Sequence, residues 1–269
     1  MNSDTGNFTV LKIFDPVRVA TGKSLQYSDS KRKVNFDFSE SFDFCLNVML
    51  SREISAYMHL ESKIDIPKLY QLIFFIPSAF ALKKLAGGIL PLTSKSENVF
   101  GGLALESEFI MERYRIPNTL EEVDEYFTTL VENAKRNLVK IHENFGLHRD
   151  IHSGNVLVTD ERVVFIDFSY SLRILKEDLA KNFSGLKEEM IEEFENLKKV
   201  ITEKLIKCCD EIRNNERESI LEDSKFFQKS DIQKFVSEKI GEVYIDLEPD
   251  NFNLNSEGSD KADIFDFNA

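Results

Sequence analysis

Residues 147–171, LHRDIHSGNVLVTDERVVFIDFSYS, constrain the fold of this 269-residue chain more than any other stretch. Two short apolar runs, 156–158 and 163–166, lie on either side of the polar turn 159–162. Runs of β-branched and aromatic residues around a short polar turn are typical of two antiparallel strands. The stretch is therefore predicted to form a tight β-hairpin.

The polar residues next to this hairpin are the ones that can carry chemistry. Asn155 precedes the first strand and Asp167 follows the second, so a hairpin of this length brings them side by side. Asp150 lies five residues upstream of Asn155. Three side chains that can bind a metal ion or accept a proton are thus expected to converge. The alternative is a loop whose polar residues only cap the hairpin and face solvent.

Composition excludes several classes of protein. A hydrophobic fraction of 42% and 23 phenylalanines are enough for a buried core. A net charge of −13 argues against a protein that binds nucleic acid or anionic membranes through phosphate contacts. The most apolar long segment, 69–82, contains Gln71 and Pro77 and is too short to cross a bilayer. With three cysteines and no visible signal peptide, a reduced protein of the cytoplasm or nucleus is expected.

Upstream of residue 100, apolar patterns predict two strands and one helix. Residues 8–14 and 68–76 have the composition of strands, whereas residues 42–62 repeat apolar side chains at helical spacing. Residues 17–41 are polar without a clear period, so we interpret them as a loop or an insertion.

Lys12 is the single charge in the first predicted strand. An ammonium group in an apolar strand is unfavourable unless it finds an anion. Taken alone, such a lysine more often lies on an edge strand or extends its charged end to solvent.

Between residues 87 and 146 a connector, a strand and a long helix are predicted. Gly87-Gly88 and Gly101-Gly102 bracket a polar connector, and residues 105–111 follow as a strand. A helix then begins at Asn118 or Thr119, continues to residue 144 and ends before Gly146. Its predicted apolar face consists of Leu130, Ala134, Leu138 and Ile141.

The remainder of the chain is predicted to be mainly helical, with a second helix at 231–241 and an acidic, disordered tail beyond residue 248. A stripe with a spacing of three and four residues indicates a helix packed on the core, although a partner-binding face is an alternative. The stripe consists of Leu186, Met190, Ile191, Phe194, Leu197, Ile201, Leu205, Cys208 and Ile212.

The order His148-Arg149-Asp150, then Asn155, then Asp167-Phe168 resembles the catalytic signature of the protein-kinase-like superfamily. The segments LKIFDP around Lys12 and RE-ISAYMHL before IPKL are similar to those of fungal, atypical protein-kinase-like proteins. The resemblance implies an α+β, bilobal protein-kinase-like fold. It would comprise a reduced β-sheet small lobe at 1–114, a mainly helical large lobe at 115–247, and the tail at 248–269.

The resemblance also implies roles for individual residues. Lys12 and Glu53 would form the ion pair that orients the lysine towards the phosphates of ATP, although Glu53 could also be an ordinary solvated glutamate. Asp150 would act as the catalytic base, while Asn155 and Asp167 would hold Mg²⁺.

The nucleotide pocket follows from the same resemblance. Met111 would stand at the back of the pocket, and Glu112 to Tyr114 would form the hinge whose backbone binds the adenine edge. The implied activity is transfer of the γ-phosphate to a hydroxyl, preferably on a protein.

Three departures from the signature keep other functions open. Seven residues before Phe8 leave no room for a Gly-rich loop, Ser169 replaces the glycine of D-F-G, and no A-P-E triplet follows. One alternative is a pseudokinase that binds or scaffolds without turnover. Another is a small-molecule kinase of the aminoglycoside- or choline-kinase type.

The histidines near the signature have further interpretations. His148 is expected to pack behind the loop, and His142 is expected to pack or to be solvated. A zinc site made of His148, Asp150 and His152 is an alternative, but it would leave Asn155 and Asp167 without a role.

Overall fold

The computed structural model of the chain describes residues 9–13, 48–75, 100–106, 112–215, 217–222, 224–226, 228–241 and 252. The predicted insertion at 17–41, Met111 and the predicted tail apart from Phe252 lie outside these ranges. Within them the fold is α+β: it is mostly helical, with small sheets of two or three strands.

The first sheet has three antiparallel strands in the order β1-β3-β2. They are β1 (Thr9–Ile13), β2 (Leu69–Phe75) and β3 (Phe100–Glu106), and helix α1 (Ser51–Leu60) lies between β1 and β2 in sequence. The strands predicted at 8–14 and 68–76 are confirmed. The helix predicted at 42–62 is observed at Ser51–Leu60, and residues 42–47 lie outside the described ranges.

The prediction that Gly101-Gly102 closes a polar connector before a strand at 105–111 is wrong, because β3 begins at Phe100 and contains both glycines. β3 is the central strand, so its backbone groups pair with β1 on one side and with β2 on the other. These hydrogen bonds outweigh the local turn preference of glycine, and a glycine in a strand lets neighbouring backbone approach closely.

The predicted hairpin is present. Strand β6 (Val156–Asp160) pairs antiparallel with β7 (Arg162–Phe165), and Thr159 faces Arg162 at the turn. Asp160 occupies this turn with a φ of 53°. Strand β4 (Arg113–Tyr114) adds to the other edge of β6 in parallel.

The long helix predicted before the hairpin is confirmed as α2 (Leu120–Asn144). The Thr119 hydroxyl caps its start by accepting a hydrogen bond from the backbone N–H of Glu122 at 3.2 Å. Its predicted apolar face is buried, with Leu130, Ala134, Leu138 and Ile141 each at most 1% exposed.

Gly146 lies in a short two-stranded sheet that brings the two ends of the 147–171 stretch together. It begins β5 (Gly146–Leu147), which pairs with β8 (Leu172–Arg173), and its φ of 144° favours glycine. A Cβ at this position would lie 2.2 Å from the carbonyl oxygen of Leu172, so a larger residue would separate the strands.

Helix α3 (Lys176–Asn214) follows and is interrupted at Asn182, whose φ and ψ of −146° and 45° are not helical. Eight of the nine residues in the predicted stripe are buried, but Ile191 is 44% exposed, so its assignment is wrong. One residue step turns the helix by about 100°, which moves Ile191 away from the buried side of Met190. Two shorter helices, α4 (Glu218–Glu222) and α5 (Lys229–Ile240), complete the described chain.

A single buried cluster connects α1, α2, α3 and the hairpin. Phe168, in the 3₁₀ turn Phe168–Tyr170 after β7, packs edge-on against Tyr57 of α1 at 5.7 Å between ring centres. Phe252, in the predicted tail, packs against Phe183 at 6.0 Å. No helix in the described ranges is both long and apolar enough to cross a membrane.

Candidate active site

Lys12 lies between two carboxylates from different parts of the chain. Its Nζ is 2.5 Å from Glu53 Oε2 and 2.6 Å from Asp167 Oδ1. The predicted Lys12–Glu53 ion pair is therefore present, although the two residues are 41 positions apart. β1 supplies the lysine, α1 supplies the glutamate, and the end of the hairpin supplies the aspartate.

One ammonium group shared by two carboxylates leaves a net negative charge at this place. Burial raises the pKa of the Glu53 carboxyl to about 7, against the opposing attraction of Lys12. Burial would lower the pKa of the Lys12 ammonium, but Glu53 and Asp167 together outweigh burial and raise it. The lysine gains from both carboxylates, whereas each carboxylate has only a share of the lysine, so the two shifts are consistent.

Asp167 is held in a special backbone conformation, with φ of 61° and ψ of 68°. The hydroxyl of Ser169 donates to Asp167 Oδ1 at 2.5 Å, and the Ser169 backbone N–H approaches the same atom at 3.4 Å. Burial would raise the pKa of Asp167, but Lys12 and Ser169 outweigh it and lower the pKa. Asp167 is therefore held as a carboxylate. The serine at the D-F-G glycine position provides one of the bonds that hold it.

Asp150 and Asn155 face each other at the start of the hairpin. Asn155 Nδ2 donates to Asp150 Oδ2 at 2.8 Å and to the Asp150 backbone carbonyl at 3.1 Å. The backbone carbonyl of Asn155 accepts a hydrogen bond from the backbone N–H of Ile166 at 2.9 Å. This bond brings Asp167, the residue after Ile166, next to Asn155. The hairpin therefore brings together the three residues predicted to converge.

The environment of Asp150 suits a base. Burial raises its pKa to about 6, the nearby His152 opposes this shift, and the negative charge of Asp167 adds to it. A carboxylate with this pKa is ionised at neutral pH and is a stronger base than an ordinary aspartate.

Asn155 and Asp167 offer the oxygen ligands that Mg²⁺ prefers. Because Asn155 uses its amide nitrogen on Asp150, its amide oxygen is available as a ligand. The side chain of Asp167 is 34% exposed, and no described residue donates to its second carboxylate oxygen. Two such oxygens suffice for Mg²⁺, which takes its other ligands from water and substrate phosphates. The residues present thus fit the predicted metal.

Glu193, a residue of helix α3 that sequence reasoning missed, holds the loop that contains Asp150. Glu193 accepts from the backbone N–H groups of His148, at 3.3 Å, and Arg149. It also accepts from His142 Nε2 at 2.7 Å. Glu193 is 6% exposed and lies between Met190 and Leu197 on the buried stripe. A charged residue within an apolar stripe was the feature of the sequence that could have identified it.

The side chain of Arg149 is tied to the same helix. Its Nε and Nη2 donate to both carboxylate oxygens of Glu189, at 3.0 and 3.1 Å. The φ of Arg149 is 63°, a conformation that few arginines adopt without such support. Contacts to both the backbone and the side chain thus fix the loop immediately before Asp150.

A second buried charge that sequence reasoning missed connects the predicted hinge to the loop. Lys204 of α3 is 1% exposed, and its Nζ donates to Glu112 Oε1 and, at 2.7 Å, to the carbonyl oxygen of Ser153. Tyr114, also in the predicted hinge, is half-buried in β4. Burial and the neighbouring Glu112 raise the pKa of the Tyr114 hydroxyl.

His148 is fully buried and packs behind the loop as predicted. Its Nε2 donates to the carbonyl oxygen of Ile166 at 3.1 Å, and its ring contacts Phe168 at 4.6 Å. His142 is also buried. No group of three His, Cys, Asp or Glu side chains in the described part of the chain is placed to hold a metal ion, so the zinc alternative lacks geometric support.

No protein-family model matches this chain, and no curated protein matches it significantly. The interpretation of the site therefore depends on the geometry of its own residues.

Proposed function

We propose that this chain is an ATP- and Mg²⁺-dependent phosphotransferase with a bilobal protein-kinase-like fold, and that it transfers the γ-phosphate to a hydroxyl group. The contact of Lys12 with both Glu53 and Asp167 carries the proposal. A lysine held by a helix glutamate next to a metal-binding aspartate is the arrangement with which protein kinases bind and orient the phosphates of ATP.

Lys12 and the hinge would bind the nucleotide. The ammonium of Lys12 would neutralise charge on the phosphates, and Glu53 keeps that ammonium in place at 2.5 Å. Backbone groups of Glu112 to Tyr114 would meet the adenine edge, with Met111, which lies outside the described residues, at the back of the pocket. Lys204 would hold this hinge at its distance from the catalytic loop.

Asp150 would accept the proton of the attacking hydroxyl. As the hydroxyl oxygen bonds to the γ-phosphorus, the bond from phosphorus to the β–γ bridging oxygen breaks, and ADP leaves. Mg²⁺, when bound, neutralises negative charge on the phosphates. Asn155 and Asp167 would hold it through the oxygens described above, and Asn155 also orients the base at 2.8 Å.

Phosphate transfer from radiolabelled ATP tests the proposal. The purified chain is incubated with Mg²⁺-ATP and either a protein mixture or small hydroxyl compounds, and the labelled acceptor is identified. Asp150→Asn should lower turnover by about 10²–10⁴-fold, the usual contribution of a positioned base. Asp167→Asn should abolish turnover and also the Mg²⁺-dependent rise in melting temperature that ATP produces, whereas Asp150→Asn should keep that rise.

Asp160→Asn is the matched control. Asp160 lies at the opposite end of the same hairpin and is 63% exposed, and asparagine tolerates its positive φ. Full turnover in Asp167→Asn would overturn the assignment of that residue. Binding of ATP by the wild-type chain without any transfer would favour the binding or scaffolding alternative.

A further inference from the structure

One side chain at the site has no part in the reaction above. His152 lies two residues after Asp150 and is 53% exposed, whereas Asp150 is 7% exposed. The ring therefore stands on the solvent side of the proposed base, where an acceptor hydroxyl would approach.

A backbone hydrogen bond determines which nitrogen of this ring carries the proton. The Gly154 N–H donates to His152 Nδ1 at 3.0 Å, so Nδ1 is an acceptor and the neutral ring has its hydrogen on Nε2. Nε2 lies 3.4 Å from Asp150 Oδ1. Asn155 donates to the other oxygen of the same carboxylate, Oδ2, at 2.8 Å. The Asn155 amide thus donates to Oδ2, and His152 Nε2 lies next to Oδ1 at a distance longer than an ordinary hydrogen bond.

Gly154 makes room for the ring. A Cβ on Gly154 would lie 2.8 Å from His152 Cε1 and 3.1 Å from Nδ1, so any other residue would displace the imidazole. Gly154 is absent from the positive-φ positions of the described chain, so it is the missing side chain, rather than an unusual backbone, that matters here. The position of His152 is therefore built into the turn by two separate features.

We infer that His152 is a positioning residue, which holds Asp150 Oδ1 so that its remaining lone pair faces the acceptor hydroxyl. A carboxylate oxygen has two lone pairs, so Oδ1 can face the imidazole N–H and still take the proton of the hydroxyl. Asn155 fixes Oδ2, and His152 then stops rotation of the carboxylate about its last bond. This inference rests on the proposed phosphotransferase function.

Three substitutions at residue 152 distinguish the role of Nε2 from the role of Nδ1. Glutamine places an N–H donor where Nε2 lies, whereas asparagine places its amide where Nδ1 lies and leaves no group next to Asp150. His152→Ala and His152→Asn should lower kcat roughly 10- to 100-fold, as expected when a catalytic group loses its positioning partner. His152→Gln should keep most of kcat, and the KM for Mg²⁺-ATP should stay the same in all three variants.

Gly154→Ala displaces the same ring without changing residue 152, because the added Cβ would lie 2.8 Å from His152 Cε1. Together with His152→Ala it forms a double-mutant cycle. Alone, it should lower kcat because it displaces the imidazole. In the His152→Ala background it should have no further effect on kcat, because the ring through which it acts is gone. Melting temperatures of all variants, measured without nucleotide, check that each chain is folded.

The outcomes separate this inference from the proposed function. A wild-type chain with no phosphate transfer would overturn both. An active wild-type chain whose His152→Ala variant keeps full kcat would overturn the role of His152 alone. Additive losses in the cycle, or equal losses in the glutamine and asparagine variants, would also contradict the N–H contact from Nε2.

Discussion

Buried charged side chains are the most informative individual residues in this chain. Glu53, Glu193 and Lys204 are each at most 6% exposed, and each lies against a group of opposite charge or a backbone partner. A buried charge without such partners would be strongly unfavourable. Each of these contacts fixes the relative position of the two elements that supply its partners. All three contacts lie around the proposed active site.

Glu193→Gln should destabilise the fold. The amide loses the negative charge, and its NH₂ group cannot accept the hydrogen bonds that the His148 and Arg149 backbones donate. A loss of about 1–3 kcal/mol in the free energy of unfolding is expected, as for other buried groups left unsatisfied. Urea denaturation measures it.

Glu192→Gln is the control, because Glu192 is the exposed neighbour on the same helix. Its effect should stay within about 0.5 kcal/mol. Equal stability of the two variants would mean that Glu193 does not support the loop.

Helix α3 organises the elements around the site. Along one buried face it presents Glu193 to the loop before Asp150, then Lys204 to the loop after it and to Glu112. Glu112 and Lys204 are 92 residues apart in sequence, so this contact connects the predicted hinge to the helical part of the fold. The helix thus supports the loop around Asp150 from both sides.

Lys204→Met should weaken this connection. Methionine fills a similar volume but leaves Glu112 and the Ser153 carbonyl without their donor. Breaking a fully buried ion pair costs about 3–5 kcal/mol, and a loss of about 2–3 kcal/mol is expected here because Glu112 can turn towards water. Denaturant unfolding should detect this loss, together with a higher KM for ATP under the proposed function.

Lys207→Met serves as the comparison, since Lys207 lies on the same helix and is exposed. It should leave both the free energy of unfolding and the KM nearly unchanged. If Lys204→Met were as stable as this control, the Glu112–Lys204 contact would not matter for the fold.

Buried titratable groups make the stability of the whole molecule depend on pH. Full burial lowers the pKa of His148 below its ordinary value of 6.5. Burial would raise the pKa of Glu193, but His142 and the loop amide of Arg149 outweigh burial and lower it below 4.5. Both shifts make the folded chain bind fewer protons than the unfolded chain as the pH falls, so both destabilise the fold in acid.

His148 should therefore contribute a loss of stability between about pH 7.5 and pH 5.5, the range in which an unfolded histidine takes up its proton. Over the same range Glu53 and Asp150, whose pKa values burial raises to about 7 and about 6, take up protons in the folded chain first, so their contributions have the opposite sign. Within this range the unfolded chain is protonated at His148 while the folded chain is not, so the contribution of His148 to the free energy of unfolding falls as the pH falls. The difference between the wild type and a variant without His148 isolates this contribution. Urea denaturation at a series of pH values measures the slope. Glu193 should contribute a further loss below about pH 4.5.

His148→Gln provides the control for this slope. Glutamine does not titrate and can still donate to the Ile166 carbonyl. As the pH falls from about 7.5 to about 5.5, the free energy of unfolding of the wild type should fall relative to that of the variant. The same slope in both proteins would show that His148 is not the responsible group.

Local sequence patterns predicted much of this architecture. The hairpin at 156–165, the capping residue Thr119 and the ends of α2 follow from residues within a few positions of one another. The Lys12–Glu53 pair was predicted from a resemblance, and the contact is present at 2.5 Å. Strand alternation, helix periodicity and capping depend on neighbouring residues, which is why they can be interpreted without a structure.

The remaining features depend on contacts between distant parts of the chain. Gly101 and Gly102 form strand because both pair with β2 and Gly102 also pairs with β1, which their own conformational preference opposes. Glu193 and Lys204 occupy core positions because loop amides, His142, Ser153 and Glu112 meet them there. Those partners lie 44 to 92 residues away, and no local pattern identifies them. Neighbouring residues thus determine which elements form, whereas the packing of those elements determines which charges can be buried, since a charge is stable in the core only where distant groups neutralise it.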